Sequence, residues 1–239
     1  MCGRVNVIDD PFMLELGKTL GLDFSQQALR CSPFIRATET LSIVHQKNGD
    51  RHVADASWWL LLDVTDDGFK PSKYTSFNTR FDKLNVRGSA GFIPFRQSRC
   101  VVPVSGFGET EFGIVNGKKQ ALHYHNMTPV DGALAMAGLY REWLHPKTGE
   151  IKLSCSIITN PPHEKLANIH SKSCPLMLPQ DSTLDRWLDC DAPLENQFDF
   201  LFTSHLFQPL VAQQIDKPGK RNPLGEKFIL NADSEVAND

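Results

Sequence analysis

The stretch Arg99-Cys100-Val101-Val102-Pro103-Val104-Ser105-Gly106-Phe107-Gly108-Glu109 decides how the chain is read. Cys100 to Val104 is an unbroken apolar run of strand length, bounded by polar and glycine residues, and it is too short for a buried helix. Gly106 to Gly108 then reads as a turn. That places Glu109 on a loop just past a strand, where scaffolds carry catalytic carboxylates, although a solvated loop acid gives the same pattern.

Working outward, similar runs at Leu41 to Val44, Ala56 to Leu62, Gln120 to His125, Ala133 to Tyr140 and Leu153 to Ile158 predict further strands. Asp10-Pro11 opens a helix with Met13, Leu16 and Leu20 on one face and Gly21 as its stop. Asn160-Pro161-Pro162 predicts a helix through Leu166, Asp181-Ser182 another through Trp187, and Leu194 to Phe202 a third, buried one. No repeat or linker divides these elements, so residues 1–230 read as a single mixed α+β domain with a sheet at its centre. Residues 231–239 lack periodicity and read as a loose acidic tail.

In a chain of 239 residues, 41% hydrophobic and 22% charged content is enough to bury a sizeable core and excludes disorder and coiled coil. No apolar run approaches the 18 or so residues of a membrane span. The first residues lack the charged and apolar regions of a secretory signal, so the expected location is cytoplasmic, at the nucleoid if the protein is bacterial. Cys2, Cys31, Cys100, Cys155, Cys174 and Cys190 show no C-x-x-C spacing and read as mostly buried thiols rather than disulfides or zinc ligands. His123 and His125 share a strand face but have no third ligand at a convincing spacing, and no metal or cofactor is expected.

The net charge of −3 gives no overall nucleic-acid signal, but the local pattern differs. Lys70, Lys73, Arg80, Lys83, Arg87, Arg96 and Arg99 face a single acid, Asp82, in one segment. This is either a solvated face balanced elsewhere or a phosphate-binding track. Nearby Trp58, Trp59, Tyr74 and Phe77 are either core or platforms for bases.

Cys2 is the most informative single residue. Removal of Met1 would give cysteine a free α-amine, with an intrinsic pKa of about 7.7–8.0 against about 10.4 for lysine. Such an amine forms imines near neutral pH, and the neighbouring thiol can close a five-membered thiazolidine on the same carbon. A small residue after a start methionine is the plain alternative. His170 follows the predicted helix that begins at Asn160, where it can exchange protons near neutral pH or simply cap the helix. Asn78-Thr79-Arg80 offers an orienting amide and a guanidinium suited to phosphate, or an ordinary turn.

Taken in order, these pieces resemble the SOS-response-associated peptidase (SRAP) family of abasic-site-processing proteins. The resemblance runs from Met1-Cys2-Gly3-Arg4 through a tryptophan-led segment at Trp58, Asn78-Thr79-Arg80, Arg99 to Pro103, Gly106-Phe107 and Glu109. It continues through Ala137 to Tyr140, Trp143, Thr159-Asn160 and Ile169-His170. It implies a largely antiparallel, barrel-like core flanked by helices, acting as a monomer on single-stranded DNA that contains abasic sites. It further implies covalent capture of the lesion by Cys2, with lyase activity at the imine stage and self-removal of Met1 as the peptidase activity. His170 would assist sugar-ring opening, Glu109 would shuttle protons, and Asn78 would position the N-terminal residue. Arg4, Arg80 and Lys172 would hold phosphates, and Trp58 would contact DNA. The chain departs from the family pattern at Gly108 and Thr110, where aromatics usually flank the glutamate, and at Lys172, where arginine is usual. Two rival readings remain: a cysteine peptidase acting on proteins through Cys2 and His170, and a non-catalytic single-stranded DNA-binding module.

Overall fold

The computed structural model describes residues 3–194 and 196–234. Its first strands are β1 (Arg4–Val7), β2 (Ser32–Arg36), β3 (Thr40–Lys47), β4 (Asp50–Ser57), β5 (Leu62–Val64), β6 (Phe69–Pro71) and β7 (Asn78–Arg80). They are followed by β8 (Arg99–Val104), β9 (Gly106–Val115), β10 (Lys118–Pro129), β11 (Leu134–Leu144), β12 (Ile151–Asn160), β13 (Cys174–Pro175), β14 (Leu210–Ile215) and β15 (Phe228–Leu230). The helices are short: α1 (Pro11–Thr19), α2 (Phe92–Gln97) and α3 (Ser182–Leu188).

Strands β11, β8, β3, β4 and β12 pair in that order, and β12 returns to pair with β11, closing a five-stranded barrel. A second sheet runs β15-β14-β10-β9-β1-β2. The α+β, barrel-like expectation therefore holds, with strands far outweighing helices. Every residue of β8 is buried, as its apolar run requires, and β8 passes directly into β9 of the other sheet. Caps fix the helices where the sequence places them. The Asp10 carboxylate accepts from the Met13 amide at 2.9 Å, and Asp181 accepts from Thr183 at 2.7 Å.

Four local expectations are corrected. First, β4 ends at Ser57, and Trp58 to Leu61 leave the sheet because their amides bond to Glu39, Ser57 and Ser76. Second, β12 continues through Asn160, since Pro161-Pro162 has no amide hydrogen and biases the preceding residue to extended geometry. Only Glu164–Leu166 forms a 3-10 turn there. Third, in the 194–202 segment the described helical residues are a 3-10 turn at Asp199–Phe202, whose tight winding puts Phe198 and Leu201 on one buried side. Fourth, Gly106-Phe107-Gly108 is strand rather than turn. A Cβ on Gly106 would collide with the Met127 carbonyl oxygen, and one on Gly108 with the Arg4 guanidinium. These glycines admit neighbours at close range and do not bend the chain.

Arg99, expected in the basic track, is fully buried. It donates to the carbonyls of Trp187 (2.7 Å), Phe95 (2.9 Å) and Asp189 (2.6 Å), locking α2 and α3 to the barrel. Among the described residues no helix is long and apolar enough to cross a membrane.

Of the segment expected to be loose, Asn231 to Ser234 are described and residues 235–239 lie outside the described residues. Asp233 is held firmly. It accepts from His163 Nε2 at 2.8 Å, the Leu206 amide at 2.8 Å and Lys165 Nζ. Burial opposes its ionised form, but these hydrogen bonds and the nearby cations outweigh burial and hold the carboxyl well below the usual range. A depressed folded-state pKa contributes stability above the unfolded value of about 3.9 that is lost as pH falls below it. Asp233→Asn is therefore expected to lower unfolding stability by about 1–3 kcal/mol at pH 7. The difference should shrink below about pH 4, as measured by urea unfolding across pH.

Candidate active site

The site forms where β1 meets β9. Their antiparallel register sets Arg4 opposite Gly108, Val5 opposite Phe107 and Asn6 opposite Gly106, while β10 sets His125 opposite Glu109 on the other side. Because side chains alternate along a strand, Gly108, Thr110 and Phe112 share one face of β9, and Phe107, Glu109 and Glu111 share the other. The first set, with Gly3, Arg4, Phe34, Arg36, Phe77, Lys119, His170 and Lys172, lines an open groove of about 380 Å³. Arg36, Lys119 and Lys172 supply positive charge, and Phe34, Phe77 and Phe112 supply aromatic surface.

Glu109 sits behind the groove wall, only 2% exposed, with Oε2 3.8 Å from Nε2 of His170, itself a groove residue. Burial raises the Glu109 carboxyl to about 7, although the Arg4 guanidinium pulls in the opposite direction. Burial likewise pushes the His170 imidazole down to about 4. At neutral pH the contact is therefore no ion pair: a neutral imidazole faces a carboxyl group at the midpoint of its titration. That arrangement suits proton transfer near pH 7, where an acid-base group works best when its pKa matches the surroundings.

The loop carrying His170 is tied to β9. Nδ1 of His170 lies 3.1 Å from the Thr110 carbonyl oxygen and 3.3 Å from Glu111 Oε2. Glu111 also accepts from the Ser171 amide at 3.0 Å and the Ser171 hydroxyl at 2.7 Å.

The expected site residues fall into distinct positions. Cys2 lies outside the described residues; Gly3, joined to it by one peptide bond, is on the groove wall. Glu109 and His170 are together as expected, but Glu109 is on a strand instead of a loop. Asn78 begins β7 beside β12, donating to the Ile157 carbonyl at 3.3 Å, and its buried Oδ1 has no hydrogen-bond partner among the described residues. Lys172 lines the groove. Arg4 is a floor rather than a rim residue: it is 5% exposed, donates to the His125 carbonyl at 2.8 Å, and lies across Gly108 in the space a larger residue would fill. Arg80 is exposed, makes a two-pronged pair with Asp82 at 2.9 and 2.8 Å, and is not among the residues that line the groove. Trp58 presents no face to a ligand. It is fully buried, donates its indole hydrogen to the Phe77 carbonyl and meets the Phe77 ring edge-on. Phe77 occupies the groove in its stead.

Phe34, Arg36, Phe112, Lys119 and Glu111 were not singled out from the sequence. The period-two spacing of Phe34 with Arg36, and of Glu109 with Glu111, was a usable signal for a shared face. The pairing of β2 with β1 that brings Phe34 and Arg36 to the groove had no local signature.

The barrel, the groove and the buried carboxyl-imidazole pair define a protein whose candidate site lies between a basic, aromatic surface and a buried pair of titratable groups. A family model described as SOS response associated peptidase (SRAP) matches residues 1–217, and the chain belongs to that family. It is 29% identical over 187 residues to the abasic site processing protein HMCES of Xenopus tropicalis, an alignment covering 70% of this chain and 55% of that protein. It is 27% identical over 176 residues to the abasic site processing protein YoqW of Bacillus subtilis (strain 168), covering 74% of this chain and 72% of the relative. Among solved structures, a protein from Bacteroides thetaiotaomicron superposes with a TM-score of 0.65 at 19% identity, covering 92% of this chain and 97% of that one. One from Bordetella bronchiseptica gives 0.63 at 18% identity, covering 90% and 100%. The chain thus shares their fold.

The raised Glu109 carboxyl has a signature in stability. A carboxyl raised in the folded state makes stability fall as pH climbs from about 4.5 to about 7, because the unfolded chain ionises first. Glu109→Gln removes that loss. It is expected to stabilise the protein by about 1–3 kcal/mol at pH 8 and to be nearly neutral at pH 4.5, as read by urea unfolding.

Proposed function

We propose that this chain captures abasic sites in single-stranded DNA covalently through Cys2. The observation that carries this reading is the pairing of a carboxyl raised to about 7 with a neutral imidazole, directly behind a cationic and aromatic groove on which Gly3 lies. The names of the HMCES and YoqW relatives point to the same lesion. Cys2 itself lies outside the described residues, so its part rests on the chemistry of an N-terminal aminothiol and on the family resemblance.

In this reading Met1 is first removed by hydrolysis of the Met1–Cys2 bond, freeing the α-amine. An abasic deoxyribose exists largely as a closed hemiacetal, and opening it to the aldehyde requires one proton to leave the C1 hydroxyl and another to reach the ring oxygen. His170 serves that exchange. The Cys2 amine adds to C1, giving a carbinolamine, and Glu109 returns a proton to the departing hydroxyl so that one water leaves and an imine forms. The thiol then adds across the C=N bond: sulfur bonds to C1, the thiol proton passes to nitrogen, and the five-membered thiazolidine closes. No oxidant or reductant is consumed. If the imine instead loses the C2 proton, β-elimination cleaves the 3′ phosphate, which accounts for lyase activity as a competing outcome. Asn78 Oδ1 is suited to orient the N-terminal residue.

On the DNA side, Arg36, Lys119, Lys172 and the exposed Arg80 would hold phosphates, with Phe34, Phe77 and Phe112 as stacking surfaces. Lysine at position 172 is a point charge, without the two-pronged geometry of arginine.

The test is a denaturing gel of purified protein with a single-stranded oligonucleotide carrying one abasic site. A heat-stable shifted band is expected with the natural chain and none with Cys2→Ala, with an acetylated N-terminus, or with undamaged DNA. Binding that is salt-reversible and lost on denaturation would leave only a DNA-binding module. Proteolysis of other proteins that survives amine blocking would favour the cysteine peptidase. Lys172→Ala should leave the covalent product intact while reducing the slope of log affinity against log salt by about 1.

A further inference from the structure

The loop bearing His170 reaches β9 through a carboxylate that the chemistry above does not use. Glu109 and Glu111 are two residues apart on one strand face, and the His170 ring sits between them, Nε2 towards Glu109 at 3.8 Å and Nδ1 towards Glu111 at 3.3 Å. Glu111 is mostly buried and does more than touch the ring. Its two oxygens take the amide and the hydroxyl of Ser171, the next residue along the chain, at 3.0 and 2.7 Å. Ring and backbone are thereby held by a single side chain.

Both groups near Nδ1 are acceptors. The Thr110 carbonyl can only accept, and the Glu111 carboxylate, although burial opposes its charge, is held below its usual range by the two hydrogen bonds from Ser171. With two acceptors at 3.1 and 3.3 Å from Nδ1 and the Glu109 carboxyl at 3.8 Å from Nε2, the geometry favours the hydrogen of a neutral ring on Nδ1, which leaves Nε2 as the basic nitrogen turned towards Glu109.

We propose that Glu111 is the positioning residue of the site: with Ser171 it clasps the His170 loop to β9, fixes the imidazole in its Nδ1–H form and aims the Nε2 lone pair at Glu109. The proposal rests on the reading that His170 moves a proton during capture. It assigns a task to two residues, Glu111 and Ser171, that the reading of the sequence left without one. The geometry is analogous to any acid-base histidine whose second nitrogen is oriented by a carboxylate.

The test has two arms, one needing no DNA. With histidine labelled in ¹⁵N, long-range ¹H–¹⁵N spectra of the whole chain near pH 7 are expected to show His170 with a pyrrole-type Nδ1 and a pyridine-type Nε2. Glu111→Gln, which can turn an amide donor towards Nδ1, should move both shifts towards tautomer-averaged values. In the second arm, single-turnover capture at saturating abasic DNA should slow at least about 10-fold in Glu111→Gln, part of the roughly 10²–10⁴ that a positioned acid-base group supplies. Non-covalent affinity for the same strand should stay within about 2-fold. If Glu111→Gln fails to fold, Ser171→Ala, at an exposed residue, removes one bond of the clasp and should give a smaller change in the same direction. An Nε2–H ring in the natural protein, or an unchanged tautomer and rate in a folded variant, would overturn the proposal. Absence of any capture by the natural protein would instead overturn the proposed function, with the spectra still deciding the tautomer.

Discussion

Burying a carboxyl group disfavours its charged form, and the structure places Glu109 under that constraint. Its strand is central in a six-stranded sheet, and burial there raises its carboxyl to about 7 beside the His170 imidazole. The rest of the site follows from keeping this group dry yet within reach of the groove. The barrel supplies rigidity, β8 delivers the chain directly into β9, and β1 lies alongside, so that Gly3 is carried to the groove by strand pairing.

Arg4 and Gly108 lie directly opposite each other where β1 pairs with β9. The guanidinium occupies the space over Gly108 and moderates the rise in the Glu109 pKa, since a cation nearby favours the carboxylate. A larger residue at position 108 would displace Arg4. At this position the arginine is folded inward, and the more exposed cations of the groove are those at positions 36, 119 and 172.

Some of this was legible in the residues alone. The all-buried run at Cys100 to Val104, the Asp10 and Asp181 caps and the ordered motifs from Cys2 to His170 act locally, and they fixed the strand, the helix starts and the family resemblance. What escaped was non-local. Gly106 and Gly108 look like a turn because the neighbours that require them to lack a Cβ, Met127 and Arg4, are 21 and 104 residues away in sequence. Trp58 looks like a stacking platform until its indole is seen to be used by Phe77, and Arg99 looks like a phosphate ligand until three carbonyls claim it. Asp233 reads as part of an acidic tail, yet it fastens the loop that leads to His170. For Trp58, Arg99 and Asp233 a polar or aromatic side chain took partners that its neighbours in sequence do not reveal, and the satisfaction of buried groups decided the outcome.

The central physical claim is that burial poises Glu109 near neutrality beside a neutral His170. Its most direct test is a pH titration of side-chain carboxyl ¹³C signals in protein labelled at glutamate, with the Glu109 resonance assigned by its absence in Glu109→Gln. The account predicts one glutamate with a midpoint near 7, well separated from the others. A midpoint near the ordinary value of about 4.3 would contradict it, because the carboxyl would then be ionised at neutral pH and could not act as the proton donor proposed for it.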